Sequence, residues 1–159
     1  MNHLRLFNLI LILLLAFTYY SQEEKRLALV IGNANYDKGA LKNPVNDALL
    51  IAKTFDTLGF DVILDTNIEY EEGFRDRIKE FGLKRPNYDV AFVYYAGHGV
   101  QVNNENYLLP TKEKFESEID VEYEGVSVQK IIRFLTSKSV NNVNVLILDA
   151  CRDNPFEGN

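Results

Sequence analysis

The chain has 159 residues, about the length of a single domain. Hydrophobic residues make up 47% of it, and glycine and proline are few, so the composition is that of a globular protein with a core and excludes a largely disordered chain. The formal net charge is -6 and no run of Lys or Arg is present, which argues against nucleic acid as a partner.

The first 21 residues differ from the rest of the chain. A basic start at Arg5 is followed by an apolar stretch from Leu9 to Phe17 and then by the charged QEEKR. This is the layout of a secretory signal peptide, and the apolar stretch is short for a membrane span. We therefore predict that residues 1–21 direct export to the periplasm or the exterior. An uncleaved membrane anchor and a buried core helix are the alternatives.

A buried strand and an amphipathic helix follow this segment. The run RLALVIGN predicts the strand and a turn after it. The helix is predicted from Asn43, with Asn43 as the N-cap, Pro44 at the first helical position and Gly59 as the stop. Its apolar residues recur at helical spacing, namely Val45, Leu49, Ala52 and Phe55.

Strands and helices continue to alternate to the end of the chain. The further strands are DVILDTN, YDVAFVYYAG and VNVLILDAC, and the further helices are YEEGFRDRIKEFGLK, with Phe74, Ile78 and Phe81 on one face, and VSVQKIIRFLTSK. Alternation of this kind predicts an α/β fold, a three-layer sandwich in which helices flank both faces of a mostly parallel sheet. Ligands of such sheets bind beyond the carboxyl ends of the strands.

A long connection joins the third strand to the third helix. Its first half predicts a hairpin with its turn at Asn103 and Asn104. Its second half, from Glu113 to Glu124, is acidic and is interpreted as a solvated charged loop. A calcium site and an activation segment cut after Lys112 or Lys114 are the alternatives, although the loop lacks EF-hand spacing. We predict no resident metal, since two histidines and one cysteine cannot form the usual zinc site.

A histidine and the single cysteine each follow an apolar strand directly. His98 stands between Gly97 and Gly99 after YDVAFVYYA, and Cys151 follows VNVLILDA. If the two strands are neighbours, the imidazole and the thiol meet at the carboxyl edge of the sheet, where they would form a nucleophile and base pair. The backbone N–H of Gly99 would stabilise an oxyanion, because a glycine lets the backbone approach a substrate carbonyl. Taken singly, either residue is more simply read as structural.

YYAGHG followed by LILDACRDNPF resembles the caspase-like cysteine peptidases of clan CD, peptidase family C14, and in particular their bacterial metacaspase-like branch. The resemblance implies a caspase-like p20-type catalytic domain over residues 26–159. It also implies that Cys151 is the nucleophile, His98 the general acid and base, and Gly99 an oxyanion donor. Family members of the metacaspase type cleave after Arg or Lys.

Two acidic residues match the basic-specific pocket of that family. By resemblance, Asp149 is the pocket aspartate and Asp47 the second acidic position near the first helix. A buried carboxylate requires a cationic partner, which fits an Arg or Lys side chain of a peptide substrate. Asp47 is equally well explained as an acid that interacts favourably with the dipole of a helix N-terminus.

Two classes of function remain open. The first is a cysteine endopeptidase that cleaves peptides or proteins after Arg or Lys, without a cofactor apart from a possible calcium ion. The second is a non-catalytic caspase-like interaction module, or a fragment that needs a C-terminal partner, because the small-subunit region of caspase-like proteins is expected to be missing from the sequence. Retention of His98, Cys151 and Asp149 favours the first.

Overall fold

A computed structural model describes residues 24–136 and 143–151 of the chain. The expected leader at residues 1–21 lies outside these ranges. Within them, no helix combines the length and the apolar character needed to cross a membrane.

Strands and helices alternate through most of the described chain. The strands are β1 (Arg26–Gly32), β2 (Phe60–Thr66), β3 (Val90–Ala96), β4 (Gly99–Val102), β5 (Glu105–Leu108), β6 (Val126–Ser127) and β7 (Val143–Asp149). The helices are α1 (Pro44–Thr57), α2 (Glu71–Lys84), a short 3-10 turn (Arg85–Asn87), α3 (Glu118–Glu124) and α4 (Val128–Thr136).

The main sheet has the strand order β2-β1-β3-β7, and its strands are all parallel. The paired residues align the carboxyl ends of the strands: Gly32 of β1 lies opposite Ala96 of β3, and Ala96 lies opposite Asp149 of β7. β1 is central, and Leu27 to Val30 are completely buried, as expected for a parallel strand covered on both faces. The predicted α/β fold is confirmed.

Helices cover the two faces of this sheet. On one face, Ala48 and Ala52 of α1 pack against Ala28 and Val30 of β1. On the other face α2 and α4 complete the core, whose larger side chains are Leu29, Phe74, Ile78, Phe81, Tyr95 and Ile131. The prediction that Phe74, Ile78 and Phe81 form the buried face of α2 is therefore confirmed.

Helix α1 differs from its prediction in two details. Leu49 is 48% exposed, because the face that packs on the sheet is formed by Pro44, Ala48 and Ala52 and is rotated away from Leu49. Asn43 precedes the helix, but its side chain makes no capping hydrogen bond. Pro44 supplies the favourable start instead, because its fixed φ suits the first helical turn.

The predicted hairpin is present as the antiparallel pair β4 and β5. Its turn residues, Asn103 and Asn104, have φ values of 50° and 63°, the left-handed conformation that a two-residue hairpin turn requires and asparagine tolerates. β6 extends this small sheet on the β5 side. The hairpin lies beside the carboxyl edge of the main sheet, since Gly99 contacts the residues that follow β7.

The interpretation of residues 113–124 as a solvated loop is wrong for their second half. Ser117 and Asp120 form a reciprocal capping box that starts α3, and Val121 is completely buried against the hairpin. This helix was not predicted because one buried valine gives a weak periodic signal in a seven-residue helix. Its acidic residues suggest a loop instead.

Candidate active site

The GHG turn and the DAC segment leave neighbouring strands at one edge of the sheet. β3 pairs with β7 in parallel, and the N–H of Gly97 donates to the carbonyl of Asp149 at 3.2 Å. A Cβ atom added to Gly99 would lie 2.9 Å from the carbonyl oxygen of Cys151. The structure therefore brings the backbones that carry His98 and Cys151 together.

Two tyrosines hold the backbone of His98. Its N–H donates to the hydroxyl oxygen of Tyr36 at 2.8 Å, and its carbonyl accepts from the hydroxyl of Tyr95 at 2.7 Å and from the N–H of Leu109 at 3.1 Å. Burial raises the pKa of Tyr95 well above its ordinary value and also raises the pKa of Tyr36, although the hydrogen bonds to Tyr36 oppose the effect there. Both phenols are therefore neutral and keep their donating protons.

The imidazole of His98 is fixed by the loop that contains Tyr36. Its Nε2 lies 2.6 Å from the carbonyl oxygen of Gly39, and its ring packs on the Tyr36 ring with 4.3 Å between centroids. A carbonyl can only accept, so Nε2 carries the hydrogen. In the neutral ring the lone pair is then on Nδ1, which is free to take a proton.

Gly97 is required by these tyrosines. A Cβ atom at this position would lie 2.5 Å from the hydroxyl oxygen of Tyr95 and 2.7 Å from that of Tyr36, closer than such atoms can approach. Sequence reasoning assigned Gly97 to the turn but missed both tyrosines. No pattern singles them out, since Tyr95 belongs to an apolar strand and Tyr36 to a loop.

The backbone N–H of Gly99 points away from the hairpin partner. The N–H of Leu109 donates to the carbonyl of His98, so these two residues occupy the position of a hydrogen-bonded antiparallel pair, with one of its two bonds present. Such pairs alternate with non-hydrogen-bonded ones, and the next pair, Gly99 with Leu108, is of the second kind. The Gly99 N–H is thus directed out of the β4-β5 ladder, as an oxyanion donor would have to be.

Cys151 is exposed. Together with Gly99, Leu108 and Leu148 it lines a small pocket between the hairpin and the end of β7. Cys151 is therefore accessible to solvent, and it borders a concave surface.

The two predicted pocket acids lie on the α1 face of the sheet. Asp149 pairs with Ala96, and paired residues of parallel strands point to the same side. Asp47 is in the first turn of α1. Burial raises the pKa of Tyr94, and both carboxylates raise it further by repelling its ionised form, so Asp47 and Asp149 face one tyrosine.

The expectation that Asp149 is a buried carboxylate is wrong. Asp149 is exposed and Asp47 half-buried, because α1 covers β1 and β2 and does not reach over β7. The residues of the described ranges contain no group of three or more His, Cys, Asp or Glu side chains arranged to hold a metal ion.

Comparison with known proteins relates the chain to a family. The sequence model of the caspase domain, peptidase family C14, matches residues 25–159. The human mucosa-associated lymphoid tissue lymphoma translocation protein 1 is 32% identical over 132 residues, which are 80% of this chain and 15% of that protein. Its mouse homologue is 30% identical over the same share of each chain. The match thus spans about one seventh of the length of these relatives.

A solved structure shares the fold. The crystal structure of protein GSU0716 from Geobacter sulfurreducens superposes with a TM-score of 0.64 at 17% sequence identity, covering 82% of this chain and 52% of that one. The match to the family model and the identity to the human relative show that the chain belongs to the caspase domain family of cysteine peptidases, peptidase family C14.

Proposed function

We propose that the chain is the catalytic domain of a cysteine endopeptidase of the metacaspase type, which cleaves protein substrates after Arg or Lys. Cys151 is the nucleophile, His98 the general base and acid, and Gly99 an oxyanion donor. The observation that carries this proposal is the β3-β7 pairing, which joins the two strand ends that bear His98 and Cys151.

The chemistry follows from the tautomer of His98. Nδ1 takes the thiol proton, and the sulfur of Cys151 attacks the scissile carbonyl carbon. The resulting oxyanion accepts hydrogen bonds from the N–H groups of Gly99 and Cys151. The tetrahedral intermediate collapses to a thioester as the imidazolium protonates the leaving amine, and a water molecule activated by His98 hydrolyses the thioester and restores the thiol.

Replacing Cys151 with Ala should abolish the cleavage of fluorogenic peptides that end in Arg or Lys. Alanine keeps the fold but removes the attacking sulfur, and the chain has no second cysteine to replace it. The assay compares peptides ending in Arg, Lys and Asp, with and without calcium, against the unchanged chain. Cleavage after Asp, or cleavage that survives in Cys151→Ala, would contradict the proposal, and the calcium arms test the possible cation requirement.

The substrate preference is proposed to come from Asp149 and Asp47. Replacing either with Asn should lower kcat/KM for a peptide ending in Arg by about tenfold or more, because a hydrogen bond loses its charge assistance. With an uncharged citrulline in place of Arg, the same substitutions should have little effect, which isolates the charge interaction. Asp76→Asn on the exposed side of α2 is the matched control. Equal losses for both peptides would rule out a charge-reading pocket.

An additional partner on β7 is part of the proposal. Val143 and Ile147 are 56% and 42% exposed on the α1 face, and among the described residues no strand pairs with the outer edge of β7. Parallel strands are normally covered on both faces and paired at their edges. We propose that a small-subunit-like segment or partner covers this side. A folded but inactive chain that gains activity with such a partner would favour the interaction-module alternative for the chain alone.

The cellular location is likewise a proposal. The basic and apolar pattern of residues 1–21 supports export, with membrane anchoring as the alternative.

A further inference from the structure

Tyr36 contacts His98 through both its hydroxyl and its ring. The hydroxyl accepts the His98 N–H at 2.8 Å and lies 3.1 Å from the Tyr95 hydroxyl and 3.2 Å from the Leu109 carbonyl. The ring packs on the imidazole. Tyr36 is 8% exposed, so water does not replace these contacts.

The hydrogen bonds of the two phenols leave Tyr36 as the acceptor for the His98 N–H. The shortest bond is from the Tyr95 hydroxyl to the His98 carbonyl, at 2.7 Å, and it uses the proton of Tyr95. The Tyr36 proton then goes to the Tyr95 oxygen or to the Leu109 carbonyl. A lone pair of Tyr36 therefore accepts the hydrogen bond from the His98 N–H. This N–H makes no backbone hydrogen bond within the hairpin.

The loop that carries Tyr36 is itself held at several points. The side-chain oxygen of Asn67 accepts from the N–H groups of Ala34 and Asn35 at 2.9 and 3.0 Å, and Leu41 donates to the carbonyl of Ala34. The same loop presents the Gly39 carbonyl to Nε2 of His98. Tyr36 and Gly39 therefore bind the histidine from one anchored loop. Tyr36 accepts from the backbone N–H of His98, and Gly39 accepts from its ring.

We propose that Tyr36 is a positioning residue for His98, acting through the hydroxyl that receives the His98 N–H. The turnover assay of this inference rests on the proposed peptidase function, whereas its second assay, alkylation of Cys151, does not. Because Tyr36 is buried, we expect its loss to change the placement of the imidazole and to leave substrate binding as it was.

The test substitutes Phe for Tyr36, which keeps the ring and removes the hydroxyl. We expect kcat for a peptide ending in Arg to fall about tenfold with KM unchanged, as for the loss of one buried hydrogen-bond acceptor. Tyr95→Phe should have a smaller effect on kcat, because His98 keeps the Tyr36 acceptor and its carbonyl keeps the Leu109 N–H. Tyr88→Phe, which removes a hydrogen bond to Asp61 on the surface, is the matched control and should leave kcat unchanged.

Alkylation by iodoacetamide provides a readout that needs no turnover. Cys151 is the only cysteine and is exposed, so the rate of alkylation at pH 7 reports its thiol alone. In Tyr36→Phe this rate should fall several-fold relative to Tyr88→Phe, because a displaced imidazole no longer assists deprotonation. Slower alkylation without any peptide cleavage by the unchanged chain would support the positioning role while the proposed function fails. An unchanged alkylation rate, or a rise in KM with constant kcat, would overturn the inference.

Discussion

Replacing Arg85 with Met is expected to lower the free energy of unfolding by about 2–4 kcal/mol, the largest loss that we anticipate for a single polar side chain. Arg85 is only 2% exposed. Its Nε and one terminal nitrogen donate to the side-chain oxygen of Asn144 at 2.8 and 2.7 Å, and its other terminal nitrogen donates to the carbonyl of Tyr88. Methionine fills a similar volume but cannot make these three hydrogen bonds.

Replacing Arg85 with Lys tests whether the geometry of the guanidinium group contributes to stability. Arg85→Lys keeps the charge but cannot donate to two acceptors in a fixed fork, so it should recover only part of the loss. Burial lowers the pKa of Arg85, while Asp89 raises it. Arg75→Lys on exposed α2 is the control and should change the stability by less than about 0.5 kcal/mol. Denaturant unfolding of the three variants measures these differences, and equal stability of Arg85→Met and Arg75→Lys would show that the fork is dispensable.

Gly32→Ala is expected to destabilise the fold by about 3 kcal/mol, because the new methyl group has no space. Its Cβ would lie 2.5 Å from the carbonyl oxygen of Pro44 and 2.6 Å from the Cβ of Ala48, where the first turns of α1 cross the end of β1. Neither contact is the end of a flexible side chain, so the helix would have to move away from the sheet.

Gly59→Ala separates this steric effect from backbone strain. Gly59 has a φ of 77° and nothing within 4 Å of an added Cβ, so alanine there should cost only about 1 kcal/mol. Thermal unfolding of both variants gives the comparison. A larger loss for Gly59→Ala than for Gly32→Ala would mean that conformation, and not close packing, limits substitution in this fold.

The sequence predicts the parallel sheet, since the apolar runs and their helices follow simple periodic rules. It leaves the adjacency of the strands before His98 and Cys151 as a condition, and the structure shows that β3 and β7 pair directly. The hairpin is also predictable, as Asn103 and Asn104 are residue types that tolerate the left-handed turn.

Other features depend on contacts between distant segments and have no local signal. The hold of Tyr36 on His98 joins residues that are 62 positions apart, and the bond between Arg85 and Asn144 spans 59 positions. The exposure of Asp149 arises from the reach of α1 and not from its own neighbours. The short helix α3 was not predicted, because Val121 is the one residue of it that is buried and its acidic residues resemble those of a loop.

Along the chain, most of the elements that form the main sheet come before the cysteine that completes the candidate active site. β1, β2 and β3, the helices between them and the turn that carries His98 all precede β7 along the chain. During synthesis, which proceeds from the N-terminus, three of the four strands of the main sheet and the turn with His98 are made before Cys151. A chain that is still being synthesised therefore carries no thiol until the residues that follow β7 have been added.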